Sequence, residues 1–83
     1  MRSVRVLYFA GVRDFVGRSE EPISLPEGVR TVGELAALLG RTHPGLGDRL
    51  GSVRFAVNEA FATLDAEVAE GDTIALIPPV SGG

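Results

Sequence analysis

The stretch Thr31-Val32-Gly33-Glu34-Leu35-Ala36-Ala37-Leu38-Leu39-Gly40-Arg41-Thr42 decides the fold. Threonine followed three residues later by glutamate is a capping box, in which each side chain satisfies the other's orphan backbone N–H. Val32, Leu35, Leu38 and Leu39 then recur at the spacing of one helical face. The pattern predicts one main helix over residues 32–42. His43-Pro44 stops it, because proline cannot continue the hydrogen-bond ladder.

On either side of that helix the period changes. Upstream, Glu21 to Pro26 reads as a short edge strand, with Ile23 and Leu25 on one face and Pro22 and Pro26 bracketing it. Before it, Val12, Phe15 and Val16 fall at helical spacing, and Gly17 stands where a helix-ending glycine would. Val4 to Phe9 alternates Val4, Val6 and Tyr8 with Arg5, Leu7 and Phe9, the two-residue period of a sheet. Downstream, Gly45 to Gly51 holds one loose turn, and Val53 to Val57 is a third strand. Asn58-Glu59 is a turn, and a short piece over Phe61 to Leu64 follows. Glu70-Gly71-Asp72 then turns the chain into a last strand, Thr73 to Ile77. No repeat, linker or low-complexity segment interrupts this order.

Strand, small helix, strand, long helix and more strands make an α+β roll, with one helical face on the sheet and the other face open. The predicted core is Val4, Val6, Tyr8, Phe55, Val57, Ile74 and Leu76. The open face then carries Arg5, Leu7, Phe9, Arg54, Ala56, Ala75 and Ile77. Leu7, Phe9, Ala56 and Ile77 form a contiguous apolar group there, which on a small domain points to a docking surface.

Composition narrows the function. Eighty-three residues make one small domain, and 45% hydrophobic with 23% charged residues is the balance of a folded protein. Eight basic residues against eleven acidic ones give a net charge of −3. All eight are arginines spread along the chain, whereas a nucleic-acid footprint needs a basic stripe. With no lysine, an activated C-terminus would find no side-chain amine on its own domain. There is no apolar run of ~20 residues for a membrane span, and Met1 to Ala10 reads as a strand rather than a signal peptide. Without cysteine there is no disulfide, thiol nucleophile or thiolate metal site. The expected compartment is the cytoplasm.

The chain also lacks the parts of an active site. One histidine and no acidic cluster at ligand spacing argue against a metal, and His43 is expected to cap the long helix. No serine lies in a nucleophile-elbow context, and no lysine follows Gly45, Gly47 and Gly51 to make a phosphate loop. Glu67, Glu70 and Asp72 read as turn and surface charges.

What remains is the last stretch, Leu76-Ile77-Pro78-Pro79-Val80-Ser81-Gly82-Gly83. Pro78-Pro79 ends sheet pairing and stiffens the exit. The residues from Pro78 to Gly83 can extend roughly 20 Å, and glycines at the tip let a carboxylate thread a narrow slot.

Val6-Leu7-Tyr8-Phe9-Ala10-Gly11-Val12-Arg13, Ala56-Val57-Asn58, and Glu70-Gly71-Asp72 through Pro78-Pro79-Val80-Ser81-Gly82-Gly83 together resemble the small, sulfur-carrying subunits of molybdopterin synthase, a family of ubiquitin-like β-grasp proteins. The resemblance implies a β-grasp domain over residues 1–77, a mixed sheet packed on one main helix, and a flexible Gly-Gly tail over 78–83. It implies that an E1-like adenylating enzyme uses ATP to activate the carboxylate of Gly83, next to Gly82. A persulfide donor then supplies sulfur to make a thiocarboxylate, and the tail delivers that sulfur to a cyclic pyranopterin. Phe9, Phe61 and Ile77 would dock, and Pro78, Pro79, Val80 and Ser81 would enter the partner. That partner would be the large subunit, which would supply the catalytic groups, the two kinds of chain forming a heterotetramer. This chain would bind no cofactor or metal of its own and would not be catalytic alone.

Three other readings stand beside it. One is the carrier for thiamine thiazole synthesis, whose chains are shorter and lack the Phe-Ala-Gly-Val-Arg start. Another is a ubiquitin-like modifier joined to lysines of other proteins. The last is an interaction domain with an accidental Gly-Gly.

Overall fold

The computed structural model describes residues 2–79. Its elements run β1 (Ser3–Tyr8), α1 (Ala10–Val16), β2 (Glu20–Ser24), α2 (Val32–Thr42), α3 (Pro44–Gly47), a 3₁₀ turn (Leu50–Ser52), β3 (Arg54–Val57), β4 (Ala60–Ala62) and β5 (Thr73–Ile77).

α2 spans the residues its sequence marks. The Glu34 N–H donates to Thr31 Oγ1 at 3.2 Å, and the Glu34 carboxylate accepts the N–H groups of Thr31 at 3.0 Å and Arg30 at 2.8 Å. The Arg30 N–H is the largest of the causes that hold the Glu34 carboxyl below its ordinary range. At the other end the His43 N–H donates to the Leu39 carbonyl at 2.8 Å. Pro44 then opens α3, at a helix start where its missing N–H is no loss. α3 is tighter than a loose turn, because it carries Leu46 into the core, fully buried.

The five strands form one mixed sheet in the order β2-β1-β5-β3-β4. β1 and β5 pair parallel at its centre, and the other neighbours are antiparallel. α2 lies over one face, burying Val32, Leu35, Ala36 and Leu39 in a single cluster with Val4, Val6, Tyr8, Phe55, Ile74 and Leu76. This is the ubiquitin-like β-grasp. β2 is an edge strand, as Pro22 required. Asn58 and Glu59 both have positive φ, 50° and 73°, the two-residue hairpin turn that matches strand twist. Asn58 also receives the Thr73 N–H and donates to Asp72, tying that turn to β5.

Three expectations shift. β1 ends at Tyr8, and Phe9 becomes the N-cap of α1 because the chain leaves the strand at Ala10, with φ 45°. β2 runs a residue earlier than expected and stops at Ser24, while Leu25 is buried just beyond it with its N–H on the Arg2 carbonyl. Ala56, placed on the open face, is buried. Its single methyl sits in the cross-strand row between Phe61 and Ala75, and a side chain that short is covered by its neighbours.

A polar cluster within the fold was invisible in the sequence. Glu21 on β2 is buried and accepts the Tyr8 hydroxyl at 2.5 Å; its carboxylate also lies 2.7 Å from His43 Nε2 and 3.0 Å from Arg18. Burial works to raise the Glu21 carboxyl, but the hydrogen bonds from Tyr8 and His43 and the charges of His43 and Arg18 outweigh it and hold it low. Burial, then the bond to Glu21, pushes the Tyr8 phenol up. His43 therefore does more than end α2; it ties the α2–α3 corner to the sheet edge.

Two outcomes are expected. Thr31→Ala removes the cap and should cost about 1 kcal/mol, read as a lower melting temperature; an unmoved melt would mean the cap contributes nothing. A carboxyl held below its ordinary value stabilises the fold above that value, and the stabilisation is lost as pH falls through the folded-state value. Glu21→Gln should therefore lower stability by about 1–3 kcal/mol at pH 7, with the gap to the wild type narrowing at pH 3. Thermal melts at both pH values check this, and a gap that does not narrow contradicts it.

Candidate docking face and tail exit

Because β1 and β5 are parallel, with Tyr8 opposite Leu76, both leave the sheet at the same end. Phe9 follows one and Ile77 closes the other, and the Phe9 N–H donates to the Leu76 carbonyl at 3.2 Å. Phe9 is 46% exposed and Ile77 half-buried. With Ala10, Pro78 and Pro79 they line a shallow, apolar groove at the root of the tail. The two residues that alternation alone placed on the open face thus meet at the tail exit.

The rest of that face is a cross-strand row of Leu7, Ala75, Ala56 and Phe61, adjacent in register over four strands. Phe61 is 67% exposed, so its place in a hairpin does not bury it. Arg54, opposite Ile77, holds its guanidinium 4.7 Å from the centre of the Phe61 ring. Val80, Ser81, Gly82 and Gly83 lie outside the described residues.

Sequence reasoning missed a second groove beside the tail root. Pro78 and Pro79 meet Val12 and Phe15 of α1, and Arg49, Ser52 and Val53 of the connection into β3. Arg49 sits over the Phe15 ring at 4.0 Å. It also missed a wider hollow between that connection and β4, lined by Leu50, Val53, Arg54, Phe61 and Leu64 among others. No local signal marks either one, because each depends on how residues 44–53 fold back.

None of these three grooves is lined by Tyr8, Glu21 or His43. Their mutual bonds instead join β1, β2 and the α2–α3 corner. Among the described residues no group of three or more His, Asp or Glu side chains is placed to hold a metal ion. No helix there is long and apolar enough to cross a membrane.

The family described as the ThiS family matches residues 6–83. A molybdopterin synthase sulfur carrier subunit from Homo sapiens is 37% identical over 83 residues, covering 96% of this chain and 93% of that one. The one from Mycobacterium tuberculosis is also 37% identical and covers both chains fully. Among solved structures, a putative molybdopterin converting factor subunit 1 from Pyrococcus furiosus superposes with a TM-score of 0.86 at 33% identity, over 96% of this chain and all of that one. A small archaeal modifier protein from Haloferax volcanii gives 0.85 at 26%, over 96% of this chain and all of that one. A chain in the complex of subunits 1 and 2 of the molybdopterin-converting factor from Helicobacter pylori gives 0.70 at 29%, over 98% and 99%.

Half-exposed, Phe9 should accept a charge. Phe9→Asp should lower stability by about 1 kcal/mol, for the lost apolar contact, and still melt cooperatively. A buried charge would cost several times that and unfold a domain this small. A collapsed melting curve would put Phe9 in the core.

Proposed function

This chain belongs to the ThiS family, and from that membership we propose that it is the sulfur-carrying subunit of a molybdopterin synthase. The observation that carries the reading is a family match running through Gly83, together with a relative named as a sulfur carrier subunit that is 37% identical over the whole chain. The groove of Phe9, Ile77, Pro78 and Pro79 at the tail root supports it.

On this reading the reactive group is the Gly83 carboxylate. Adenylation by an E1-like enzyme turns a poor electrophile into a mixed anhydride, with pyrophosphate released and AMP as the leaving group. The outer sulfur of a persulfide donor then displaces AMP to give an acyl disulfide. A second thiol cleaves its S–S bond, releasing the thiocarboxylate and leaving the donor thiol and the second thiol joined as a disulfide. The tail carries that sulfur into the large subunit, whose groups bind the cyclic pyranopterin and move its protons. Two deliveries make the dithiolene that later holds molybdenum. Phe9, Phe61 and Ile77 set the docking geometry, and Pro78-Pro79 holds the tail away from the sheet. Gly82 and Gly83 suit a close-fitting transfer site because they carry no Cβ. The Helicobacter pylori complex of subunits 1 and 2 supports a large-subunit partner, and we extend this to a heterotetramer.

The likeness to a small archaeal modifier favours one second reading, conjugation to amines of other proteins. It uses the same activated carboxylate with a different acceptor. Higher-mass adducts in extract, without free thiocarboxylate, would favour it.

Adding one alanine after Gly83, or deleting Gly83, should leave the melting temperature unchanged, because no core residue is touched. Either change should abolish dithiolene formation in a reconstituted assay. The reacting atom moves by about 3.5 Å, and near-attack geometry tolerates far less. Mass spectrometry of the native chain with ATP, activating enzyme and sulfur source should show one oxygen replaced by one sulfur at Gly83. Sulfuration by the extended chain, untrimmed, would overturn the reading.

A further inference from the structure

The arginines of this chain fall into distinct settings. Arg5 is paired with Glu20 and Arg18 with Glu21, while Arg2 donates to the carbonyls of Pro26 and Val29. Arg13, Arg30 and Arg41 are exposed and, among the described residues, lie within 4.0 Å of no carboxylate. Arg49 and Arg54 share that setting and differ in what they stack on. Each lies instead over an exposed phenylalanine, Arg49 over Phe15 and Arg54 over Phe61. Both also stand at the root of the tail: Arg49 lines a groove with Pro78 and Pro79, and Arg54 pairs across the sheet with Ile77.

Stacking matters here because it restrains a long side chain before any partner arrives. A free arginine loses much rotamer freedom on docking, whereas a planar fork already held against a ring loses less. Two positive charges at the tail root, with no carboxylate within 4.0 Å among the described residues, also run against a net charge of −3. The chain's own acids leave them open, beside the apolar groove that the proposed function assigns to docking.

We infer that Arg49 and Arg54 form a cationic collar around the root of the tail, which docks against carboxylates on the large subunit at the rim of the slot that takes the tail. The inference rests on the proposed function and adds the chemistry of the partner's surface. The guanidinium forks match carboxylate geometry. Opposite charge at the slot would steer the tail toward it, an effect on association rate that salt weakens.

The test is association of the full chain with the large subunit encoded in the same genome, followed by stopped flow from about 20 mM to about 500 mM NaCl, a range over which screening goes from weak to strong. The wild type should associate more slowly as salt rises. Arg49→Gln with Arg54→Gln should associate about tenfold more slowly at low salt and lose most of the salt dependence, with an unchanged melting temperature. Arg49→Lys with Arg54→Lys keeps the charge and should keep the salt dependence. A glutamine double variant with the wild-type rate and salt slope would overturn the collar and leave the proposed function standing. Failure of the wild-type chain to bind the large subunit at any salt would overturn the proposed function, and the collar with it.

Discussion

The parallel pairing of β1 with β5 is the contact on which the rest depends. Its register, Val6 opposite Ile74 and Tyr8 opposite Leu76, puts these four buried side chains on the helix-covered face. The same register leaves Leu7, Ala75 and Ile77 on the other face. A slip of one residue would exchange the faces, because side chains alternate with a period of two. It would expose Leu76, bury Ile77 and rotate the root of the tail away from Phe9. The sheet therefore sets where the tail leaves, and in which direction, before any partner is met. Parallel strands need a long crossover, and α2 with the segment after it supplies one while covering the core.

How much of this the sequence could show depends on how local the cause is. The limits of α2 were legible because a capping box and His43-Pro44 are written within a few residues of the helix ends. The last strand was legible for the same reason, between Gly71, which needs its φ of 86°, and Pro78. Alternation placed Phe9 and Ile77 on one face, and their meeting at the tail root follows from the β1–β5 pairing. Alternation fails for Ala56 because it reports which face a side chain points to, not whether neighbours cover it. The Tyr8–Glu21–His43 cluster joins residues from β1, β2 and the α2–α3 corner. No window of sequence contains all three, so a buried carboxylate reads as an ordinary strand residue. The Arg49–Phe15 contact was hidden in the same way, by the path of residues 44–53.

That cluster also explains why an edge strand stays in place. β2 has one neighbour, β1, and an internal proline that cannot donate to a ladder. Backbone pairing alone would hold it weakly. Glu21 adds bonds to Tyr8 on β1 and to His43 at the end of α2, so leaving the sheet would strand a buried phenol and break a charged contact. Such groups cost more when left unpaired than they contribute when paired. The cluster therefore acts mainly against alternative arrangements of the edge.

On the proposed function, this geometry constrains how the chain would meet its two partners. A standard protein interface covers about 800 Å² on each side, roughly a sixth of the 5062 Å² this chain exposes. Area alone would permit two partners at once, on different faces. The tail does not permit it. On that reading, an enzyme that activates Gly83 and a subunit that takes sulfur from it would both need the same tail, whose root leaves the sheet at one place, between Phe9 and Arg54. Their footprints must overlap there, so the complexes exclude each other and one must dissociate before the other forms. Affinity that came from a large apolar face would slow that exchange, because most affinity is expressed in the dissociation rate. A small apolar groove beside exposed, pre-stacked charges meets the opposite requirement. It raises the rate of encounter more than the lifetime of the complex, which is what the proposed carrier would need if it changes partners in each cycle.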